Sequence, residues 1–196
     1  MNEAPMHTDI EVPTVNAYGA KEMAAAFRLV RKNTLQVAED IPEDKYDFVA
    51  APGVRSVRSL LAHIAVSPSL HDDIHRVRHL STLKGYDFGV LMTRLGAEEQ
   101  KPRSKAELVA FLKAEGERFA TWLESLTPAF LAEMYSDPTG EHPKSRFEGL
   151  LSAKEHEMHH RAQLMLIERM LGITPHLTRQ MQERMTARAT AGAAAS

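Results

Sequence analysis

The sequence predicts an all-α protein: a four-helix bundle with a long crossover between its second and third helices and an extra C-terminal helix. Apolar residues recur at spacings of three and four in four long segments, the pattern of a helix with one buried face. No segment shows the alternation that is typical of a strand. The crossover, residues 81–102, holds a short predicted helix over 88–95 and is long enough for the second and third helices to run parallel.

Length and composition indicate one folded domain. The chain has 196 residues, of which 43% are hydrophobic and 26% charged, values typical of globular domains with a sizeable core. Residues 1–16 contain two prolines and no helical periodicity, so we expect an N-terminal arm there. We expect a single helical domain over residues 17–188 and a flexible tail of small residues over 189–196.

The charge balance and the lack of cysteine exclude several classes of function. Lys and Arg number 24 and Asp and Glu number 26, so nothing in the net charge of −2 favours nucleic-acid binding. No apolar run reaches the length of about 18 residues that a membrane span needs, and residues 1–12 do not resemble a signal peptide. Without cysteine, disulfides and thiolate metal ligands are excluded. We therefore expect a cytoplasmic protein that binds neither nucleic acid nor membrane.

The first helix is predicted from about Tyr18 to Asp40, and Pro42 prevents it from continuing. Its buried face is a stripe of residues spaced by three and four, namely Met23, Phe27, Val30, Thr34 and Val37.

The second helix is predicted to start after Ser56, a favourable N-cap residue, and to end or kink at Pro68. Leu60, His63 and Ile64 follow the spacing of one helical face. His63 therefore lies where a core residue is expected.

A ladder of histidines follows, in which His71, His75 and His79 are each four residues apart. Their neighbours are strongly charged, namely Asp72, Asp73, Arg76 and Arg78. This environment favours an exposed polar helix. A second metal site, or a contribution of His71 to the rim of another site, are the alternatives.

The remaining helices are identified by their ends. Ser104 and Glu107 form the capping-box pattern that begins the third helix, and Pro128 ends it. The fourth helix is predicted over residues 145–171, with Ser145 as its cap, and the extra C-terminal helix over about 177–188.

His156 and His160 are the strongest candidates for a functional site. They are four residues apart on the buried stripe of the fourth helix, where two imidazoles can bind one metal ion. His63, facing inward from the second helix, could complete a set of three ligands, which leaves open positions for water or substrate. Ligation by nitrogen alone suits zinc or nickel. Gln163, on the same face, could support the ligands from behind or bind substrate. The alternative is a set of histidines that hydrogen-bond within the core.

Residues 156–160 also match the H-E-x-x-H pattern of zinc proteases, in which Glu157 would be the general base. The pattern is weak here because the sequence predicts no sheet to hold a substrate strand. The glycine and third histidine of the extended motif are also absent, since those positions are Gln163 and Leu166. Glu157 remains a candidate for moving protons beside the site.

Residues 60–64 (LLAHI) and 154–164 (KEHEMHHRAQL) resemble the DinB/YfiT-like family of four-helix bundles. The resemblance implies up-down-down-up topology, a divalent metal ion held by His63, His156 and His160, and a homodimer. The family includes S-transferases and isomerases that use low-molecular-weight thiols, and proteins described as metal-dependent hydrolases.

Two functions remain open. The first is a metalloenzyme that activates water or a low-molecular-weight thiol against a small-molecule substrate. The second is a non-catalytic metal-binding or small-ligand-binding protein of the stress response. A homodimer that packs helix against helix is expected from methionines near the C-terminus, namely Met158, Met165, Met170, Met181 and Met185.

Overall fold

A computed structural model describes residues 18–194 of the chain. The elements in chain order are α1 (Ala20–Asp40), a 3₁₀ turn (Glu43–Lys45), α2 (Val57–Val66), α3 (Pro68–His71), a π-helical segment (Asp72–Val77), α4 (Phe88–Glu99), α5 (Lys105–Glu124), α6 (Pro128–Ala132), β1 (Met134–Ser136), β2 (Pro143–Ser145), α7 (Arg146–Met170) and α8 (His176–Ala194).

Four of these helices form the bundle: α1 packs against α5 and α7, and α2 packs against the same two helices. The core cluster at one end contains Met23, Phe27, Phe119, Leu123 and Leu150. The cluster at the other end contains Val37, Ile41, Leu60, Leu108, Leu112 and Leu164. The start of α1 therefore lies beside the end of α5 and the start of α7, whereas α2 and α5 both begin at the opposite end. This order is up-down-down-up, as the resemblance implied.

The predicted helix caps are present. The hydroxyl groups of Ser56, Ser104 and Ser145 each accept a hydrogen bond from the backbone N–H three residues later. Ser104 and Glu107 form the reciprocal capping box that the sequence predicted.

The crossover between α2 and α5 contains α4, which is longer than the predicted segment and packs on α2. Val66 of α2, with Leu91 and Leu95 of α4, forms a small core of its own. The helix continues from Leu95 to Glu99. This extra turn places Glu99 beside α2, where it becomes part of the site described below.

Two expectations from the sequence are wrong. The sequence shows no strand pattern, yet β1 and β2 after α6 pair as an antiparallel hairpin with Tyr135 opposite Lys144. Three-residue strands are too short to show alternation in the sequence. The turn between them is held by the carboxylate of Asp137, which accepts hydrogen bonds from the backbone of Thr139 and Gly140.

The segment expected to be an exposed polar helix is buried over residues 71–75. Its charged side chains are enclosed because arginines from distant elements neutralise them. Asp72 lies 2.5 Å from Arg118 of α5, and Asp73 lies 3.1 Å from Arg94 of α4. Of the three histidines of the ladder, only His79 is exposed, as the sequence predicted.

The C-terminal helix α8 extends to Ala194 and thus continues beyond residue 188, where the sequence predicted its end. The N-terminal arm predicted over residues 1–16 lies outside the described residues. Within residues 18–194, no helix combines the length and the apolar character that crossing a membrane requires.

Candidate metal centre

The structure brings His63, His156 and His160 together through their Nε2 atoms. The Nε2 atom of His156 lies 3.3 Å from that of His63 and 3.1 Å from that of His160. One ring nitrogen from each histidine can be chosen so that the three atoms all lie within 4.8 Å of one another. The short second helix supplies His63, and successive turns of α7 supply the other two. The predicted grouping is therefore present as geometry.

Hydrogen bonds on the outer side of the rings determine which nitrogen carries the proton. Nδ1 of His63 lies 2.6 Å from a carboxylate oxygen of Glu99. Nδ1 of His160 lies 3.0 Å from Oε1 of Gln163, whose amide nitrogen donates to His159. Both outer partners are acceptors, so Nδ1 donates in each ring and the lone pair is on Nε2. The lone pairs of His63 and His160 therefore point into the same space.

The environment keeps the imidazoles of His156 and His160 neutral. Burial, reinforced by the neighbouring His160 and His63, lowers the pKa of His156 to about 4. Burial also lowers the pKa of His160, although its hydrogen bond to Gln163 acts in the opposite direction. At neutral pH these two rings are thus in the deprotonated form that binds metal ions.

A bound cation would satisfy the three converging ring nitrogens better than hydrogen bonds among them do. His63 and His160 each direct a lone pair at His156, whose neutral ring has one proton to donate. One of the two contacts therefore has no proton between its nitrogen atoms. Three convergent imidazole nitrogens form a donor set suited to zinc or nickel, and the outer acceptors match those that usually orient metal-bound histidines.

Glu157 lies elsewhere. Its carboxylate forms a bidentate ion pair with Arg31 of α1, in which Nε donates to Oε1 and Nη2 donates to Oε2, each at 2.9 Å, and both side chains are almost fully buried. Arg31 also donates to the carbonyl oxygen of Leu112 at 2.5 Å. The expected general base thus has its oxygens occupied by a guanidinium group in the middle of the bundle, which leaves them unsuited to proton transfer at the triad.

Glu99 is the carboxylate that the structure places at the triad, and the sequence analysis missed it. Its other oxygen lies 3.8 Å from Arg55, so the acidic group connects His63 to a cation at the mouth of the site. The sequence predicts a crossover helix that ends at Leu95, and Glu99 belongs to no apolar pattern that would extend it. A predicted helix one turn longer would have placed Glu99 near α2.

A cavity of about 420 Å³ opens beside the triad. Its polar end is formed by His63, His156, Glu99 and Arg55. Apolar side chains of α2, α3 and α4 form its walls, among them Val66, Leu70, Met92 and Leu95. This volume lies in the range of small-molecule sites, and its apolar walls with few polar groups are typical of them.

Comparison with known proteins agrees with the fold. YfiT from Bacillus subtilis, a probable metal-dependent hydrolase with an unusual four-helix bundle topology, aligns with a TM-score of 0.62 and 16% identity. The alignment covers 83% of this chain and 93% of YfiT. YjoA, a DinB-like protein from the same organism, aligns with a TM-score of 0.58 and 23% identity, covering 78% of this chain and 93% of its own. At these identities the likeness shows a shared fold.

No curated protein sequence matches the chain. The sequence pattern of the DinB superfamily matches residues 26–164. That match includes every helix of the bundle and confirms the resemblance drawn from the histidine motifs. The chain belongs to the DinB superfamily.

Proposed function

We propose that His63, His156 and His160 hold a divalent metal ion, zinc or nickel, and that the protein is a metal-dependent enzyme of the hydrolase type. The observation that carries this proposal is the pair of outer hydrogen bonds, from His63 to Glu99 and from His160 to Gln163. Both direct an Nε2 lone pair into one space, and such outer partners fix the tautomer of metal-binding histidines. In this proposal Gln163 would support His160 from behind through its contact with Nδ1.

A metal ion held there would act as a Lewis acid and lower the pKa of a coordinated water or thiol. The chain itself supplies three nitrogen ligands, which leave coordination positions facing the cavity. Glu99 holds the Nδ1 proton of His63 and orients its ring. The apolar walls exclude bulk water from the reacting groups and so strengthen local electrostatic interactions.

Whether the reaction is hydrolysis or thiol transfer depends on whether water or a thiol is activated in the cavity. Arg55 is the cation among the cavity-lining residues, and its side chain is 45% exposed at the mouth. It would bind the carboxylate of a peptidic thiol, if the enzyme activates a low-molecular-weight thiol instead of water. YfiT is described as a probable metal-dependent hydrolase. We extend this description to the present chain because the two folds are alike, and it favours water over a thiol as the group that is activated.

The alternative is a non-catalytic protein that binds a metal or small ligand. The same triad and cavity would suit such a protein, since binding a metal ion or a small ligand needs no reacting group. A homodimer stays a prediction; among its expected contact residues, Met158, Met170, Met181 and Met185 are between 42 and 63% exposed.

Metal content separates these functions from a purely structural role for the histidines. The full chain, purified without a histidine tag and incubated with zinc or nickel, should retain about one equivalent of metal per chain. His160→Ala should retain less than a tenth of an equivalent, whereas His159→Ala, which removes an exposed neighbouring imidazole, should bind like the wild type. Full occupancy in His160→Ala would show that the ligand assignment is wrong.

Activity separates the enzyme from the binding protein. The metal-loaded protein should hydrolyse small ester or amide substrates, or join a thiol to an electrophile, in a screen that covers both reactions. Arg55→Ala should weaken the thiol reaction with carboxylate-bearing thiols more than ester hydrolysis. Metal binding without activity in either screen would favour the non-catalytic alternative.

A further inference from the structure

The cavity has a second polar end, which the metal site does not use. On one side, His63, Ser67 and His71 line the cavity at intervals of four residues along α2 and α3. On the other side, Ser152 and His156 of α7 line it at the same interval. Residues four apart lie above one another on a helix. Along α7, Ser152 lies one turn from His156, whereas along α2 and α3 His71 lies two turns from His63, so His71 and Ser152 meet at a distance from the triad.

The second end is formed by His71 and Ser152, with Nε2 of His71 3.5 Å from Oγ of Ser152. Four residues of α7 separate Ser152 from His156, and eight residues of α2 and α3 separate His71 from His63. These spacings correspond to about 6 Å and about 12 Å along the helix axes. A small molecule with one group at the triad can thus reach His71 with another.

His71 lacks the partners that a buried imidazole usually has. Its side chain is enclosed, with 9% of the residue exposed, and Nδ1 has no hydrogen-bond partner within residues 18–194. The contact of Nε2 with Ser152 is long for a hydrogen bond. The Ser152 hydroxyl group donates instead to the carbonyl oxygen of Gly149 at 2.7 Å. Leaving a buried polar group unpaired is unfavourable, and a bound ligand that pairs with it removes that cost.

The neighbouring His75 shows what a structural histidine in this segment looks like. It is 1% exposed, its Nδ1 lies 3.0 Å from Arg146, and it does not line the cavity. His71 stacks on His75 with the ring planes 6° apart, and it packs near Phe119. Packing thus fixes the ring of His71 but does not satisfy its Nδ1, whereas Nδ1 of His75 has Arg146 as a partner.

We propose that His71 and Ser152 form a substrate-binding pair, which hydrogen-bonds an uncharged polar group of a small, mainly apolar molecule whose reactive end lies at the triad. This inference rests on the proposed function of that triad. The apolar walls of Val66, Leu70 and Leu95 would accommodate the body of the molecule.

The preference for an uncharged group follows from the state of the imidazole. Burial lowers the pKa of His71 to about 4, so the ring is neutral at pH 7. A neutral imidazole offers one donor and one acceptor. A hydroxyl or amide group can therefore pair with it, whereas a carboxylate would gain no attraction from charge.

Two matched probes test the inference on the zinc-loaded full chain. In 4-hydroxybenzohydroxamic acid and 4-methylbenzohydroxamic acid, the hydroxamate binds zinc and the ring fills the apolar cavity. Only the first carries an O–H group at the far end. By calorimetry, the hydroxyl probe should bind the wild type about tenfold more tightly than the methyl probe, the gain expected from one added hydrogen bond.

His71→Phe keeps the stacked ring but removes both nitrogens. This variant should reduce the difference in affinity between the two probes to less than about twofold. Its zinc content and its affinity for the methyl probe should be unchanged. His71→Gln and Ser152→Ala test the same pair if the phenylalanine variant does not fold. The glutamine variant, which retains a polar group, should keep part of the preference, and the alanine variant should lose part of it.

The possible failures are distinguishable. If the wild type takes up no zinc, the proposed function fails and this inference fails with it. If the zinc-loaded wild type binds both probes equally, or if His71→Phe retains the preference, the inference for His71 is overturned while the metal site stands.

Discussion

Glu99 and His63 are joined by a hydrogen bond of 2.6 Å between a carboxylate oxygen and Nδ1. The two residues are 36 positions apart, on α4 and α2, and both line the cavity. A carboxylate behind a histidine fixes its tautomer and raises its basicity as a ligand. The crossover helix thus contributes to the proposed metal site even though it provides none of the proposed ligands.

Replacing Glu99 with glutamine should weaken zinc binding by about 10–100-fold, because an amide cannot support the ring as a carboxylate does. Zinc affinity is measured by competition with a chelator of known affinity. Glu98→Gln removes the same charge from the adjacent position, whose carboxylate pairs with Lys101 and Arg103, and should leave zinc affinity within about twofold. Equal affinities in the two variants would show that Glu99 does not support a metal ligand.

Glu157→Gln should destabilise the fold by about 3–5 kcal/mol, because it leaves the guanidinium group of Arg31 buried without its counter-charge. The side chains of this pair are 4% and 2% exposed. Glu117→Gln is the matched control, since its partner Arg28 lies at the surface, and it should cost less than about 1 kcal/mol. Both values come from denaturant unfolding.

The same variant tests the role of Glu157 at the site. Zinc content of folded Glu157→Gln should match the wild type, because its carboxylate faces Arg31 and does not line the cavity. A stable Glu157→Gln variant that loses only activity would favour the general-base interpretation instead.

The parts of the structure that follow local rules could be predicted from the sequence. Ser104 caps its helix through neighbours within one turn, so its pattern is visible in the chain. His156 and His160 lie together because i and i+4 share a helical face, whatever the remaining fold. Placing His63 beside them needed only its position on an inward stripe.

Other features depend on contacts between distant segments and could not be predicted in this way. The charged segment 71–75 is buried because Arg118, Arg94 and Arg146 approach it from other helices. From its composition alone, this segment would be expected at the solvent-exposed surface. The role of Glu99 likewise depends on how far α4 continues and on how it packs against α2.

Gly149→Ala should destabilise the fold by about 1–3 kcal/mol, through overpacking between α7 and the hairpin. A β-carbon at this position would lie 2.1 Å from the hydroxyl oxygen of Tyr135, and the tyrosine is itself buried. Gly96→Ala provides the contrast, since a β-carbon there meets no atom within 4 Å. It should stabilise by up to about 1 kcal/mol through helix propensity. Thermal unfolding of both variants measures the difference, and a stabilised Gly149→Ala would show that the hairpin moves freely.

Glu168 of α7 should make stability depend on pH. It is fully buried, and neither of its carboxylate oxygens has a hydrogen-bond partner among the described residues. Burial, with Asp40 nearby, raises its pKa from 4.5 to about 7, although Arg179 and Arg169 act in the opposite direction.

Because this pKa is higher in the folded protein, the carboxyl group stabilises the fold fully below about pH 4.5, and the contribution is lost as the pH rises through about 7. Glu168→Gln cannot ionise and should lose nothing over that range. Its stability relative to the wild type should therefore increase by about 1–3 kcal/mol between pH 5 and pH 8, after allowing for solvent screening. Urea unfolding at both pH values measures the change. Glu155→Gln, exposed on the same helix, should show no such increase. If the stability of Glu168→Gln relative to the wild type were the same at pH 5 and pH 8, the pKa of Glu168 would not be raised in the folded protein.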